Sequence, residues 1–277
     1  MAVTRIEVEA RGLVFDGLAE GPAGGELVLL LHGFPQSAAI WRPALRTLAA
    51  AGYRAVAIDQ RGYGRRARPS RVEAYRLDEP LEDAVAVAAA LGHPRFHVVG
   101  HDWGGVVAWA LGAQHPELLL SLTSLATPHA AALGEALRAP SQRLRMAYMP
   151  LLQLPRIEYL LTIGGGRPAV KLLQSTGLSA AHARRDIAHL QEVGPEGVLN
   201  WYRALSGGPR ITGPVSAPTL YIWPDRDPVF TRLSAELTER HVTGPYHYVV
   251  LEGASHWIPD EHWEDVADLV ADHLAGA

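Results

Sequence analysis

Apolar residues gather in short runs that stop at turn residues, and this rhythm recurs along the chain. Leu27–Leu31 stops at His32-Gly33, Arg54–Ile58 at Asp59, and Phe96–Val99 at Gly100. Leu118–Leu125 stops near Thr127-Pro128, Thr219–Trp223 at Pro224-Asp225, and Tyr246–Leu251 at Glu252-Gly253. Such runs predict strands covered on both faces, as in a parallel sheet, where polar alternation disappears. Helical stretches fall between them: Ala38–Ala51, Leu81–Leu91, Gly104–His115 and His262–Leu274. Strand alternating with helix predicts an α/β sheet with helices on both faces. The opening segments Val3–Val8 and Gly12–Ala19 predict an antiparallel edge hairpin.

The rhythm breaks between about Pro128 and Pro214, where no strand pattern occurs. Helix-like pieces fill the gap: Leu133–Leu137, Ser141–Met149, Ile157–Leu161, Ala169–Leu173, Ala180–Glu192 and Glu196–Leu205. Gly164-Gly165-Gly166 and Gly207-Gly208-Pro209 interrupt them. An all-helical insertion in an α/β chain reads as a lid over the carboxyl ends of the strands, where open sheets bind ligands. The expected division is residues 1–127 and 214–277 as the two parts of the core, with 128–213 as the lid.

Composition narrows the function. In 277 residues, 48% are apolar and 19% charged, which excludes a disordered chain. The 25 basic and 29 acidic residues give a net charge of −4. No basic block is long enough to track phosphates, so nucleic acid is not an expected partner. The densest group, Arg61, Arg65, Arg66, Arg68 and Arg71, is expected to be a solvated loop. The chain has no cysteine, which removes disulfides, thiolate catalysis and cysteine-based metal sites. The first residues lack a signal-peptide stretch, and no run approaches the roughly 20 apolar residues of a membrane helix. A cytoplasmic protein with no membrane partner is the expectation, as a monomer or a homodimer.

Chemistry concentrates in three places. Val98-Val99-Gly100-His101-Asp102-Trp103-Gly104-Gly105 runs a strand into Gly-x-Asp-x-Gly and then into a helix. This is nucleophile-elbow spacing, with aspartate at the position where serine is commoner. The rival reading is that Asp102 simply caps the helix. His32-Gly33-Phe34-Pro35 follows the Leu27–Leu31 strand, where this architecture places one N–H of an oxyanion hole. The backbone N–H groups of Phe34 and Trp103 are the candidates. Further on, Asp227 and His256 each follow a late strand and complete the order nucleophile, acid, base. Asp225 competes with Asp227 for the acid.

Together these residues resemble the α/β-hydrolase superfamily, and within it the epoxide hydrolase group, over nearly the whole chain. Gly100–Gly105 and His32–Pro35 look like that group's elbow and oxyanion motifs, and Asp59-Gln60-Arg61-Gly62-Tyr63-Gly64 is similar to a further signature. The resemblance implies the α/β-hydrolase fold, a mostly parallel central sheet with helices on both faces and an inserted all-helical lid. It implies a cis bond before Pro35. It also implies two lid tyrosines that hold the epoxide oxygen. Tyr148, in Tyr148–Pro155, and Tyr202, in Leu199–Arg203, are the matches. His32, Phe34, Trp103, Trp201 and Trp257 are then the expected substrate contacts.

The expected function is an epoxide hydrolase that opens an epoxide to a vicinal diol. Its small-molecule substrate would form an ester on Asp102, and His256, oriented by Asp227, would activate the water that hydrolyses it. No metal or organic cofactor is expected. A haloalkane dehalogenase uses the same triad and stays an alternative, with Trp103 as a halide donor and Trp41, Trp109 or Trp201 as a possible second. A non-hydrolytic pocket protein on the same fold is a further alternative, since folds host many functions.

Overall fold

The short apolar runs fold as neighbouring strands of one sheet. The computed structural model describes residues 2–207 and 213–277. In chain order the strands are β1 (Thr4–Ala10), β2 (Leu13–Glu20), β3 (Leu27–Leu31), β4 (Arg54–Ile58), β5 (Phe96–His101), β6 (Leu119–Leu125), β7 (Thr219–Pro224) and β8 (Tyr246–Leu251). Across the sheet they lie β1-β2-β4-β3-β5-β6-β7-β8. β1 pairs antiparallel with β2, and β2 with β4; every pairing from β4 to β8 is parallel.

Period-two geometry explains the unbroken apolar runs. Leu27, Leu29 and Leu31 of β3 enter the core on one face, while Val28 and Leu30 enter the core on the other. Helices α1 (Arg42–Ala50), α2 (Asp78–Ala90) and α3 (Trp103–Gln114) follow β3, β4 and β5. Ala44, Leu45 and Leu48 of α1 pack on the second core; Leu81, Ala84 and Val87 of α2 and Val107 of α3 pack on the first. The expected helix 38–51 is divided: Ala38–Trp41 is a tighter turn, and α1 starts where Pro43 supplies a preset helical φ.

Between β6 and β7 the described residues form helices and no named strand. They are α4 (Ala130–Ala136), α5 (Pro140–Arg145), α6 (Met149–Leu152), α7 (Glu158–Thr162), α8 (Arg167–Ser175), α9 (Ala180–Val193) and α10 (Pro195–Arg203). The expected helix 141–149 breaks after Arg145, and Tyr148 stands at the head of α6. Gly164, Gly165 and Gly166 all take left-handed φ values and turn the chain from α7 into α8. Of the expected break at Gly207-Gly208-Pro209, Gly208 and Pro209 lie outside the described residues. After β7 come α11 (Arg232–Leu237), α12 (Ile258–Glu261) and α13 (Trp263–Ala275). Trp263, Val266 and Val270 of α13 join α1 on the second core. Among the described residues no helix is long and apolar enough to cross a membrane.

The arginine-rich stretch differs from the expected solvated loop. Arg61 is 2% exposed, and its Nε and Nη2 reach the buried Asp83 at 2.5 and 2.6 Å. Arg65 pairs with Glu192, Arg66 with Glu7 and Asp16, and Arg68 with Glu196. Arg65 and Arg68 thereby tie this loop to α9 and α10. A guanidinium fork can satisfy a buried carboxylate at two oxygens, which a surface role does not require. Arg61→Ala leaves Asp83 with only the partly exposed Arg11 at 2.9 Å. Removing one partner of a buried pair costs about 3–5 kcal/mol, so a loss near 3 kcal/mol is expected. Urea denaturation followed by circular dichroism measures it. A loss of under about 1 kcal/mol would show that Arg11 alone holds the carboxylate.

Candidate active site

The end of β5 and the start of α3 meet in a single strained residue. Asp102 has φ 51° and ψ −118°, a region that side chains rarely occupy. Gly100 makes the bend possible, because a Cβ there would collide with the Gly104 backbone. The Asp102 carboxylate makes no cap bond to α3, so the helix-cap reading does not describe it. Instead the bend aims it away from its own helix. Oδ1 accepts the Phe34 N–H at 2.7 Å, and Oδ2 lies 3.7 Å from His256 Nε2. Gly33 lets the oxyanion turn come this close, since a Cβ on it would overlap the carboxylate. The Phe34–Pro35 bond is cis. The Trp103 N–H is the first amide of α3, a position that helical geometry leaves without an intrahelical partner.

His256 lies beyond β8, held from both sides. Its Nδ1 meets Asp227 Oδ2 at 2.9 Å. Asp227 Oδ1 in turn accepts the N–H groups of Val229, at 2.6 Å, and Phe230, at 3.0 Å. Asp225 faces elsewhere, accepting the Gly253 N–H at 2.7 Å. His256 and Asp227 are buried, and the Asp102 side chain is 15% exposed.

Two carboxylates around one imidazole set the electrostatics. Burial alone would lower the His256 pKa, but the charge of Asp227 and the hydrogen bond to Asp102 overcome it and push it up to about 10. Burial also works against charge on Asp102, yet His256 and the Phe34 N–H hold this carboxyl below the usual carboxylate range. Asp102 and His256 therefore coexist as an ion pair at neutral pH.

Two tyrosines from the insertion complete the surroundings. Burial and the charges of Asp102 and Asp227 raise the Tyr148 pKa above its ordinary value. Burial, then the neighbouring Tyr148 and Asp102, do the same for Tyr202, while the Trp103 side chain opposes the rise as a hydrogen-bond donor. The Tyr202 ring packs edge-on against Phe34 at 5.4 Å and Trp103 at 5.2 Å. Both phenols stay protonated across the physiological range and can donate.

The expected substrate contacts divide. Phe34 bonds Asp102 through its N–H, Trp103 is the next residue in the chain, and the rings of both pack on Tyr202. His32 does not offer a free polar atom: its Nε2 accepts the Gln60 N–H at 3.1 Å, and its Nδ1 faces the Gly33 carbonyl at 3.0 Å. Burial lowers its pKa to about 3, so it is a neutral brace behind the oxyanion turn. The Trp201 indole donates to the Arg61 carbonyl at 2.8 Å, and the Trp257 indole to Thr176 Oγ1 at 3.0 Å. Only their apolar faces remain, against Trp103 and His256 respectively. Trp109 donates to the Thr127 carbonyl at 2.9 Å, and Trp41 packs against Trp263 on the far side of the sheet. Among the described residues no cluster of His, Cys, Asp or Glu could hold a metal ion. A groove of about 710 Å³ between β1, β2, α1 and α9 shares no residue with this constellation.

Two side chains outside the expected set hold His256 in place. His101 Nε2 donates to the His256 carbonyl at 2.9 Å, tying the elbow to the His256 loop. Its burial lowers its pKa to about 3, so it adds no charge beside His256. Arg145, from α5, contacts the Asp227 carbonyl and that of Phe230. His101 sits inside the elbow motif, where an imidazole at a strand end is a visible oddity. Arg145 carries no local signal. Because Asp102 supports the imidazolium, Asp102→Asn should bring the His256 titration down from about 10. Imidazole NMR across pH 5–11 measures this, and an unchanged titration would show that Asp227 alone sets it.

Comparison with known proteins agrees with this architecture. Residues 26–262 match the alpha/beta hydrolase fold family. The AB hydrolase superfamily protein YfhM of Bacillus subtilis is 32% identical over 96% of both chains. Epoxide hydrolase A of Mycobacterium tuberculosis is 30% identical, over 99% of this chain and 98% of that one. A Bacillus megaterium epoxide hydrolase, solved with an inhibitor, superposes with a TM-score of 0.89 at 25% identity, covering 98% of this chain and all of the other. With an Asp-bearing elbow on an eight-stranded sheet and relatives of this closeness, the chain belongs to the α/β-hydrolase family, in its epoxide hydrolase group.

Proposed function

We propose that the protein hydrolyses an epoxide to a vicinal diol through an ester on Asp102. One observation carries the reading. A carboxylate at positive φ stands between the Phe34 N–H, at 2.7 Å, and an imidazole 3.7 Å away that a second carboxylate orients. Tyr148 and Tyr202, both near enough to feel the Asp102 charge, come from the insertion, which in this reading is a lid over residues 128–213.

In the first step an Asp102 oxygen attacks an epoxide carbon, and the carbon–oxygen bond on the far side breaks. The electron pair goes to the epoxide oxygen, which takes a proton from one tyrosine while the other donates a hydrogen bond. A carboxylate suits this work because it is charged without prior proton loss. Phenols aimed at the departing oxygen stabilise charge that develops mainly in the transition state. In the second step His256 removes a proton from water, and the hydroxide attacks the ester carbonyl. The oxyanion lies between the Phe34 and Trp103 N–H groups. Collapse expels the alkoxide, which takes the proton from His256 and leaves as the diol; the Asp102 carboxyl then gives its proton to His256, which restores the resting ion pair. One water is consumed.

The charge arrangement explains how one imidazole serves the second step. While Asp102 is ionised, His256 is held protonated. Ester formation removes that charge, so the imidazole loses one of its two supports, passes its proton through solvent to the tyrosinate left by ring opening, and becomes a competent base. The hydrolysis of a haloalkane is the rival chemistry. It needs two donors for the departing halide, and the indoles of Trp109 and Trp201 are already bonded to carbonyls. Trp103 is left without an indole partner for that task, while two phenols are near enough to feel the Asp102 charge.

Rapid mixing with styrene oxide, followed by intact-protein mass analysis, tests the proposal. The expected result is a transient adduct on Asp102 that persists in His256→Gln and is absent from Asp102→Ala. Tyr148→Phe and Tyr202→Phe should each slow adduct formation about 10- to 1000-fold. Chloride release from a haloalkane without diol from any epoxide would overturn the assignment. The pH dependence of the two steps differs in sign. Asp102 is held ionised below the usual range, so adduct formation survives mild acid. Hydrolysis needs neutral His256 and slows as pH falls through the imidazole pKa of the ester state. The steady-state adduct fraction should therefore be larger at pH 5.5 than at pH 8; a smaller one would contradict the role given to His256.

A further inference from the structure

We infer that Asp260 is a positioning residue that couples helix α9 of the insertion to the oxyanion turn. The names of the two chemical steps rest on the proposed function; the coupling itself does not. Asp260 lies in α12, which begins two residues after His256 and is joined to it by the Ile258 N–H on the His256 carbonyl at 2.9 Å. Its side chain is 3% exposed. Oδ1 accepts Arg185 Nη1 at 2.8 Å, and Oδ2 accepts Arg185 Nη2 at 2.7 Å. The same Oδ2 accepts Gln36 Nε2 at 2.8 Å.

Each partner belongs to a different part of the site. Gln36 is fully buried, and its N–H bonds the Gly33 carbonyl at 2.9 Å, closing the turn that presents Phe34 N–H to Asp102. Arg185 belongs to α9, which a single residue, Gly194, separates from the Tyr202-bearing α10. The first turns of α9 are fastened to α12 a second time, through Glu261, which accepts from the Ser179 N–H and meets His182 Nδ1, both at 2.8 Å. One carboxylate thus joins the oxyanion turn, the segment after the base and the insertion.

The geometry gives this joint its stiffness. A two-pronged guanidinium–carboxylate contact fixes orientation as well as distance. Because Arg185 and Gln36 share one oxygen, rotation of the carboxylate that follows α9 has to move or break the Gln36 bond. Displacement of α9 therefore reaches the Phe34 N–H, which holds Asp102 before the ester forms and the oxyanion afterwards.

Two variants cut the joint from opposite sides without emptying it of its carboxylate: Arg185→Gln and Gln36→Met. Hydrogen–deuterium exchange on the free protein reads the coupling without any substrate. Arg185→Gln should raise exchange in the 33–37 turn, and Gln36→Met should raise it in the first turns of α9. Exchange changes confined to the segment that carries the substitution would overturn the inference. Rapid-quench analysis of adduct decay gives the second readout. Each single variant should slow ester hydrolysis about 3- to 30-fold, and the double variant should be no slower than the worse single. Multiplying effects, or a lower Tm with unchanged ester hydrolysis, would mean that Asp260 is only a structural tie. If the wild-type protein forms no adduct, the proposed function fails, and the exchange experiment still decides the coupling.

Discussion

A negative, a positive and a second negative group lie in line in a nearly closed site, and the rest of the molecule serves to keep them there. Burial works against the charge of His256 and against that of Asp102. Together, Asp227 and Asp102 hold His256 protonated, and His256 holds Asp102 ionised. The arrangement is poised because each member depends on the others. Neutralising one end alters the middle, which is how a single imidazole can be silent in one step and basic in the next. Further bonds hold each member: two backbone N–H groups on Asp227, one on Asp102, and His101 on the His256 carbonyl.

The sheet supplies the fixed frame for this line. Asp102, Asp227 and His256 follow β5, β7 and β8, and Phe34 follows β3, so all four leave the carboxyl ends of parallel strands. Burial of both sheet faces makes those ends rigid, and three-dimensional closeness comes from strand order rather than chain order. The insertion, in the proposed reading a lid, brings aromatic faces and two phenols to this end. Leu190, Val198, Leu199, Trp201 and Tyr202 anchor it in the apolar core, and ionic and backbone-directed contacts add to that: Arg65 and Arg68 from the arginine-rich loop, Arg145 on the Asp227 loop, and Arg185 on Asp260.

Much of this was legible in the amino-acid order because it follows local rules. Short apolar runs bounded by turns marked the strands, and Gly-x-Asp-x-Gly marked the bend; Tyr246–Leu251, expected to be covered on both faces, is a half-buried edge strand, because edge position is not written in the run itself. Strand ends were read one or two residues short at β5 and β7, since His101 and Pro224 continue the ladder into what looks like turn sequence. Pattern favoured Asp227 and left Asp225 as a competitor, because they share one loop; the N–H groups of Val229 and Phe230 and the contact with His256 separate them in space. His32 was misread because both of its polar partners, the Gly33 carbonyl and the Gln60 N–H, depend on how two loops meet. Arg61 was misread for the same reason: its counter-charge, Asp83, lies on α2, 22 residues away. Charges and imidazoles take their meaning from distant partners, which no window of neighbouring residues contains.

The backbone at position 102 has a consequence of its own. An aspartate forced into a glycine-like conformation costs folding energy that a glycine would not, on the order of 1–3 kcal/mol. A selection that rewarded heat resistance alone would therefore drift toward Asp102→Gly and discard the carboxylate. An aspartate kept at this bend fits the proposed role, in which durability is given up for reactivity.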